Sequence, residues 1–324
     1  MSNPVFQFQK VKRQQCKASI VIEGLSGRGK SGLALILARA LASDWDKVFA
    51  IDTENGSLKL YDGLPGSNGE AFRDFNVAEF TPDIGYKPSN YQAFREAAIE
   101  AGAEVLIQDS FTHAWSYSGG ILDMVAELKK NNARYQKDAY AAWGDDTIIK
   151  EKQLLSELFR DHRCHIISTL RVKEKMDYQY NEEKKKNEIV SIGEQQIMQA
   201  DMKYEPDLVL RMISPGGVTG KKITYPHVKV IKSRYAIFQT DEEYDITPSI
   251  CKQLKDYLEE GSSPEELLEQ QRQEYIEGIT AFLDSNVSAR AIWKELKKQA
   301  GYDASALKDI PLDALKPLFI QLTI

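Results

Sequence analysis

The chain has 324 residues, 42% of them hydrophobic and 28% charged, enough to bury a sizeable core and too apolar for a disordered polymer. A net charge of −6 excludes a surface that is basic all over, while leaving room for a local phosphate-binding patch. No run approaches the ~20 apolar residues that cross a bilayer, and Lys10, Lys12 and Arg13 interrupt the stretch where a secretory leader would be apolar, so a cytoplasmic protein with no membrane role is expected.

Residues 18–23 read as a short buried strand, followed by a glycine turn and a helix over 30–42. A second strand covers 47–52, and a helix over 91–101 feeds a strand over 104–109. Residues 115–129 and 147–161 read as amphipathic helices, and 164–170 as another buried strand. Strands alternating with helices imply a parallel sheet covered on both faces. Cys16, Cys164 and Cys251 are few, odd in number and far apart, as expected of reduced thiols. His162, Cys164 and His165 are close in sequence, but alternation on a buried strand explains them better than zinc.

Residues 174–187 are dense in Glu, Lys and Asn and read as a mobile loop. Short strands are then expected over 207–213, 222–225, 228–232 and 235–239. Pro215-Gly216-Gly217 and Gly220 punctuate them as antiparallel hairpins that extend the sheet. From about residue 247 the chain turns helical and polar. Ser263 is placed to cap a helix opened by Pro264, with helices over 266–283, 289–300 and 312–322. This divides the chain into a core over 1–246, a helix and linker over 247–263, and a helical appendage over 264–324.

Gly24-Leu25-Ser26-Gly27-Arg28-Gly29-Lys30-Ser31 fits G-x-x-x-x-G-K-[ST] without a mismatch. Glycines at those positions let the main chain turn tightly, so that the amides of Gly24, Ser26, Gly27, Arg28, Gly29 and Gly32 can surround a phosphate. Lys30 supplies a positive charge to the β- and γ-phosphates, Ser31 a hydroxyl to Mg²⁺, and the following helix its positive end. Asp109, closing the apolar run 105–109, is the candidate second ligand of Mg²⁺. Phe49-Ala50-Ile51-Asp52-Thr53-Glu54 ends the second strand with two acids. Glu54 is the first choice for a base that orients water, with Asp52 the alternative. No guanine-reading Asn-Lys-x-Asp run is present, which favours ATP.

Taken together, the glycine loop, the strand-end Asp-Thr-Glu and the strand-end Asp-Ser resemble the RecA-like ATPase core. More narrowly they are similar to phage-encoded AAA-type P-loop ATPases of single-strand annealing and recombination, over about residues 16–245. The resemblance implies an α/β, RecA-like P-loop NTPase core with a mostly parallel sheet extended by antiparallel hairpins, and a small C-terminal helical region outside it. It implies Glu54 as base, Thr169 as γ-phosphate sensor, and Lys232 and Arg234 as a pair reaching a neighbouring subunit's nucleotide. A ring or filament of identical subunits would follow. It also implies that residues 111–142 and 171–187 face single-stranded DNA. Arg171, Lys173, Lys175, Lys184, Lys185 and Lys186 would meet phosphates there, and Tyr178 and Tyr180 would stack on bases, diluted by Glu174, Asp177, Glu182 and Glu183.

Two function classes fit: a DNA-stimulated ATPase in phage-type recombination, annealing or replication, working in the bacterial host cytoplasm, or an ATP-switched binding or loader protein with negligible turnover. The helices beyond residue 264 carry no catalytic motif and suit docking of a protein partner or capping of the core. A small-molecule kinase fits less well, because no arginine-bearing lid is recognisable.

Overall fold

A computed structural model describes residues 11–81, 83–138, 140–182 and 185–323. Lys10, Glu183 and Lys184, singled out above, lie outside the described residues. Two compact units result, Cys16–Leu258 and a second made of Glu259–Ile324 with the N-terminal residues up to Gln15.

The larger unit opens with β1 (Ser19–Gly24), α1 (Lys30–Leu41), β2 (Val48–Asp52) and β3 (Asn76–Glu79). It continues through α2 (Pro88–Glu100), β4 (Val105–Asp109), α3 (His113–Ser116), α4 (Ile121–Asn131), α5 (Ala133–Lys137) and α6 (Asp146–Glu157). Then come β5 (His165–Asn181), β6 (Lys186–Gln196), β7 (Leu208–Ser214), β8 (Gly217–Thr219), β9 (Lys222–Thr224), β10 (His227–Ser233), β11 (Glu243–Asp245) and α7 (Pro248–Leu258).

The sheet runs β11-β10-β7-β1-β5-β4-β2-β3. From β7 to β3 the pairs are parallel, and β10 and β11 add antiparallel strands at one edge. Both faces are covered, which explains why the central strands are continuously apolar. Ile20 and Ile22 join α1, Leu254 and Leu258 on one face, while Val21, Ile51 and Val209 meet Tyr91, Phe111, Ile148 and Phe159 on the other. His165 and Cys164 are buried parts of this packing; the Ala18 amide donates to His165 Nδ1 at 2.9 Å. Burial lowers the His165 pKa to about 3 and raises the Cys164 thiol to about 12, so both stay neutral. His162 is exposed, and no cluster of three or more metal-ligating side chains occurs among the described residues.

Four local expectations are corrected. The helix over 115–129 is broken into α3 and α4, because Gly119 sits at φ +74° and an added Cβ on Gly120 would come within 2.6 Å of the His113 carbonyl. The loop over 174–187 is mostly antiparallel ribbon: β5 continues to Asn181 and pairs with β6, with Lys173 opposite Gln195 and Tyr180 opposite Asn187. Residues 222–225 do not extend the main sheet, since β9 pairs only with β8. Residues 235–239 form a turn that buries Tyr235 and Phe238, three apart, and the edge strand is β11 instead.

The smaller unit holds α8 (Pro264–Ser285), α9 (Ala289–Gln299) and α10 (Leu312–Thr323). Ser263 and Glu266 form a reciprocal capping box at the start of α8, the Ser263 hydroxyl accepting from the Glu266 amide at 3.1 Å. Ile279, Trp293, Ile310, Leu315, Leu318 and Leu322 form its own core.

Ile107, fully buried in β4, is expected to cost about 2–5 kcal/mol when cut to Ala. Leu60→Ala, at a side chain 76% exposed, is expected to stay within about 0.5 kcal/mol. Denaturant midpoints of the two variants check this; equal shifts contradict the assigned core.

Candidate nucleotide site

The parallel register brings the ends of β1, β2, β4 and β5 together: Gly24 lies opposite Arg171, and Asp52 opposite Asp109. Ligands of open α/β sheets collect at this carboxyl edge. The turn from Leu25 to Gly29 leaves β1 here, and Gly29, at φ +83°, directly precedes α1. A Cβ on Gly29 would lie 2.8 Å from Pro215 Cβ, so glycine is required both for the backbone angle and for the close approach. No acidic side chain occupies the first turn of α1, leaving its positive end for an anion.

Lys30 is buried, and its ammonium donates to the Leu25 carbonyl at 3.0 Å. Burial lowers its pKa, against the pull of Glu54 and Asp109. Asp109 is also buried and accepts a short hydrogen bond from the Thr169 hydroxyl. Burial raises its pKa to about 6, opposed by Ser31 and Thr169 and assisted by Glu54 and Asp52. Its second oxygen, Oδ2, is buried with no hydrogen-bond partner. A carboxylate oxygen left over beside a serine hydroxyl is the donor set a Mg²⁺ takes, so Ser31 and Asp109 fit the ion.

Asp52 has a different task. Its Oδ1 accepts from the Glu54 amide and its Oδ2 from the Leu58 amide, both at 2.7 Å, which shapes the turn after β2. Both of its oxygens are committed to the backbone, whereas Glu54 makes no such backbone contact and is the acid that reaches the cleft. Glu54 lines the same cleft as Gly29, Lys30 and Ser31. Its Oε1 accepts from Arg171 Nη2 at 2.7 Å and Nε at 3.0 Å.

That cleft has a volume of about 490 Å³, within the range of small-ligand sites. Beyond the phosphate loop it is also lined by Pro215, Val218 and Pro226 from the β7–β10 connection and by Leu64, Pro65 and Phe72, apolar side chains suited to a planar base. Ser26 and Gly27 of its lining are exposed, as is the adjoining Arg28, which donates to the Ile213 carbonyl at 3.3 Å. A Cβ on Gly32 would come within 3.2 Å of the Tyr61 ring. Burial raises the Tyr61 pKa, with Asp109 adding to it and the Gly32 amide and Ser31 opposing. Tyr61 was not singled out from the sequence, and nothing in its local pattern marks it.

The remaining expected residues lie elsewhere. The Thr169 hydroxyl is spent on Asp109, so it orients the acid that would hold the metal. Lys232 lies opposite Val209, near the start of β7, whereas the phosphate loop follows the far end of β1. Its ammonium donates to the carbonyls of Tyr204 at 2.7 Å and Pro206 at 2.6 Å. Arg234 donates to Asp207 at 2.8 Å and to the Tyr204 carbonyl at 3.2 Å. Residues 111–142 are largely helical, burying Phe111, Ile121, Val125 and Tyr135, while Tyr140 is exposed. On the ribbon, Lys173, Lys175, Met176, Tyr178, Tyr180, Lys185 and Lys186 are exposed.

A family model described as an AAA domain matches residues 16–245, the stretch that carries every strand-end motif above. The chain belongs to the AAA-domain family. It is therefore an AAA-type P-loop ATPase by family, with the α/β sheet and nucleotide cleft that go with it. No curated protein matches the chain. No helix among the described residues is long and apolar enough to cross a membrane.

Two predictions follow from the geometry of this AAA domain. Gly29→Ala is expected to weaken nucleotide binding at least about 100-fold by calorimetry, because the side chain must displace Pro215 or the loop. For Asp109, a folded pKa of about 6 against 3.8 means that folding favours its protonated form. Its ionised form therefore lowers the stability of nucleotide-free protein above pH about 6, on the order of 1–3 kcal/mol. Asp109→Asn is expected to raise the melting temperature near neutrality, and the gain should shrink as pH falls through about 6 toward 3.8. Magnesium affinity of the native protein should fall over the same interval, as protons compete for the carboxylate.

Proposed function

We propose that the chain hydrolyses ATP, with Glu54 as the base that orients and deprotonates the attacking water. The observation that carries this reading is the placement of Glu54. Its carboxylate stands in the phosphate-loop cleft with Lys30 and Ser31, on a turn held by Asp52. Water oxygen bonds to the γ-phosphorus, its proton passes to Glu54, and ADP carries away the bridging oxygen's electron pair. Lys30 and the loop amides neutralise charge on the phosphoryl oxygens. Mg²⁺, held by Ser31 and Asp109, supplies further charge neutralisation when bound.

We further propose single-stranded DNA as the polymer on which the ATPase acts, in recombination, annealing or replication of the phage type. Support comes from the exposed tyrosines and lysines of the β5–β6 ribbon, which pair stacking surfaces with phosphate ligands. Assembly into a ring or filament is part of the same reading. Lys232 and Arg234 sit near the starts of the parallel strands, away from their own phosphate loop, which leaves a neighbour's nucleotide as the one this reading has them serve. The helical unit formed by α8–α10 is assigned to partner docking.

A second reading, an ATP-controlled binding or loader protein with negligible turnover, is favoured by one observation. One oxygen of the Glu54 carboxylate, Oε1, is tied to Arg171.

Phosphate release with and without oligothymidylate, run alongside a size measurement, separates the two. The hydrolytic reading expects Lys30→Ala to abolish turnover and Glu54→Gln to lower it about 10²–10⁴-fold while binding of ATP persists. Unchanged turnover in Glu54→Gln removes Glu54 from the chemistry. A wild-type protein that binds ATP and changes size without releasing phosphate favours the loader.

A further inference from the structure

Glu54 lines a second cavity as well as the nucleotide cleft. This second space has a volume of about 360 Å³ and opens at the same carboxyl edge of the sheet. Tyr86 and Tyr117 stand against the His113 ring at 5.3 Å and 3.8 Å between centroids, giving three aromatic surfaces. Asn55 and Ser118 add polar groups at its rim.

His113 is the unexplained member. It is only 2% exposed, yet neither ring nitrogen makes a hydrogen bond of normal geometry. Burial first, then the nearby Arg171 charge, push its pKa down to about 4, against Glu54 and a backbone contact with Thr53, so the ring is neutral and keeps at least one nitrogen without a partner. A buried polar group without a partner is rare in a folded protein unless a ligand supplies one. Arg171 is the second member. Its guanidinium is shared between the Glu54 carboxylate and the Tyr117 hydroxyl, the latter at 2.8 Å, and lies 5.5 Å over the Tyr117 ring.

Aromatic walls, an imidazole with one nitrogen left over, and an arginine fork together suit a planar heteroaromatic ring bearing a phosphate. That is one nucleotide unit of an unpaired strand. We propose that this cavity is an effector site for such a unit, whose phosphate takes the Arg171 fork from Glu54 and so frees the base to act on water. The inference rests on the reading of Glu54 as base. It accounts for a base that is correctly placed and yet engaged through Oε1: the Nε–Nη2 edge of Arg171 that grips this oxygen cannot hold a phosphodiester at the same time.

Phosphate release by the full chain at saturating MgATP, with and without oligothymidylate, tests it. Arg171→Gln is expected to raise the unstimulated rate about tenfold and to abolish stimulation, the effect of one charge-assisted contact removed. Should that variant fail to bind ATP, Arg171→Lys serves in its place, with a smaller rise in the same direction, because a single ammonium cannot hold Glu54 as a fork does. A wild-type unstimulated rate together with wild-type stimulation in the variant that binds ATP overturns the proposal. So does equal stimulation by duplex DNA, whose bases are stacked out of reach. His113→Leu is expected to raise the oligothymidylate concentration for half-maximal stimulation about tenfold, as for one lost base contact. Glu54→Gln keeps the two readings apart. If it retains full turnover, the base assignment fails, and the cavity is then judged by anisotropy of labelled oligothymidylate alone. A roughly tenfold weaker affinity in His113→Leu keeps the DNA site, and an unchanged affinity removes it.

Discussion

Asp109 closes a strand that is buried on both faces, and its carboxylate is consequently cut off from water. The register that sets Asp52 beside it and Thr169 across from it is held by packing that includes Ile107, Ile22 and Ile167 of neighbouring strands on one face of the sheet. One of its oxygens is satisfied by Thr169 and the other is left over, at the point where Ser31 begins α1. A charge in such a place is unfavourable until a cation arrives, which is why burial raises the pKa of the acid to about 6. The phosphate loop depends on the same constraint. It can only fold against Met212 and Pro215 because β7 lies next to β1, and the close approach at Gly29 leaves no room for a side chain.

Much of this was legible in the sequence, because the signals are local. A strand, a glycine turn and a helix follow one another within residues 19–41, and each shows in composition and spacing alone. Apolar runs ending in Asp52 and Asp109 likewise mark strand ends. The β5–β6 ribbon was not legible, since beyond Arg171 β5 pairs only with β6 and many of its side chains are exposed on both faces. A ribbon of that kind has no period-two apolar stripe and reads as a charged loop. The break between α3 and α4 was visible in Gly119-Gly120 but was outweighed by helical spacing on either side.

The pairing of Glu54 with Arg171 escaped for another reason. The partners are 117 positions apart and meet only because β2, β4 and β5 are neighbours in the sheet, so no spacing rule announces them. Arg171 reads from sequence as one cation among several in a basic stretch, and His113, just before the helix expected over 115–129, was not singled out. Their chemistry depends on what surrounds them: a carboxylate and a tyrosine for the first, and two tyrosine rings with an under-satisfied imidazole for the second.

Strand periodicity links these contacts. Residues two apart on a strand point to the same face, so Thr169 and Arg171 of β5 both face the carboxyl-edge acids. Thr169 reaches Asp109 and Arg171 reaches Glu54. A single length of backbone therefore positions the acid suited to the metal and the acid suited to the water. It continues directly into the ribbon that carries the exposed lysines and tyrosines. The Thr169 contact is buried and short, and shifting it would expose an unpartnered carboxylate, whereas the Arg171 contact is half-exposed and can exchange one anion for another. Of the two, Arg171 is the contact that can yield without disturbing the fold, which places any control of this site on the Glu54 side and leaves the Asp109 side fixed.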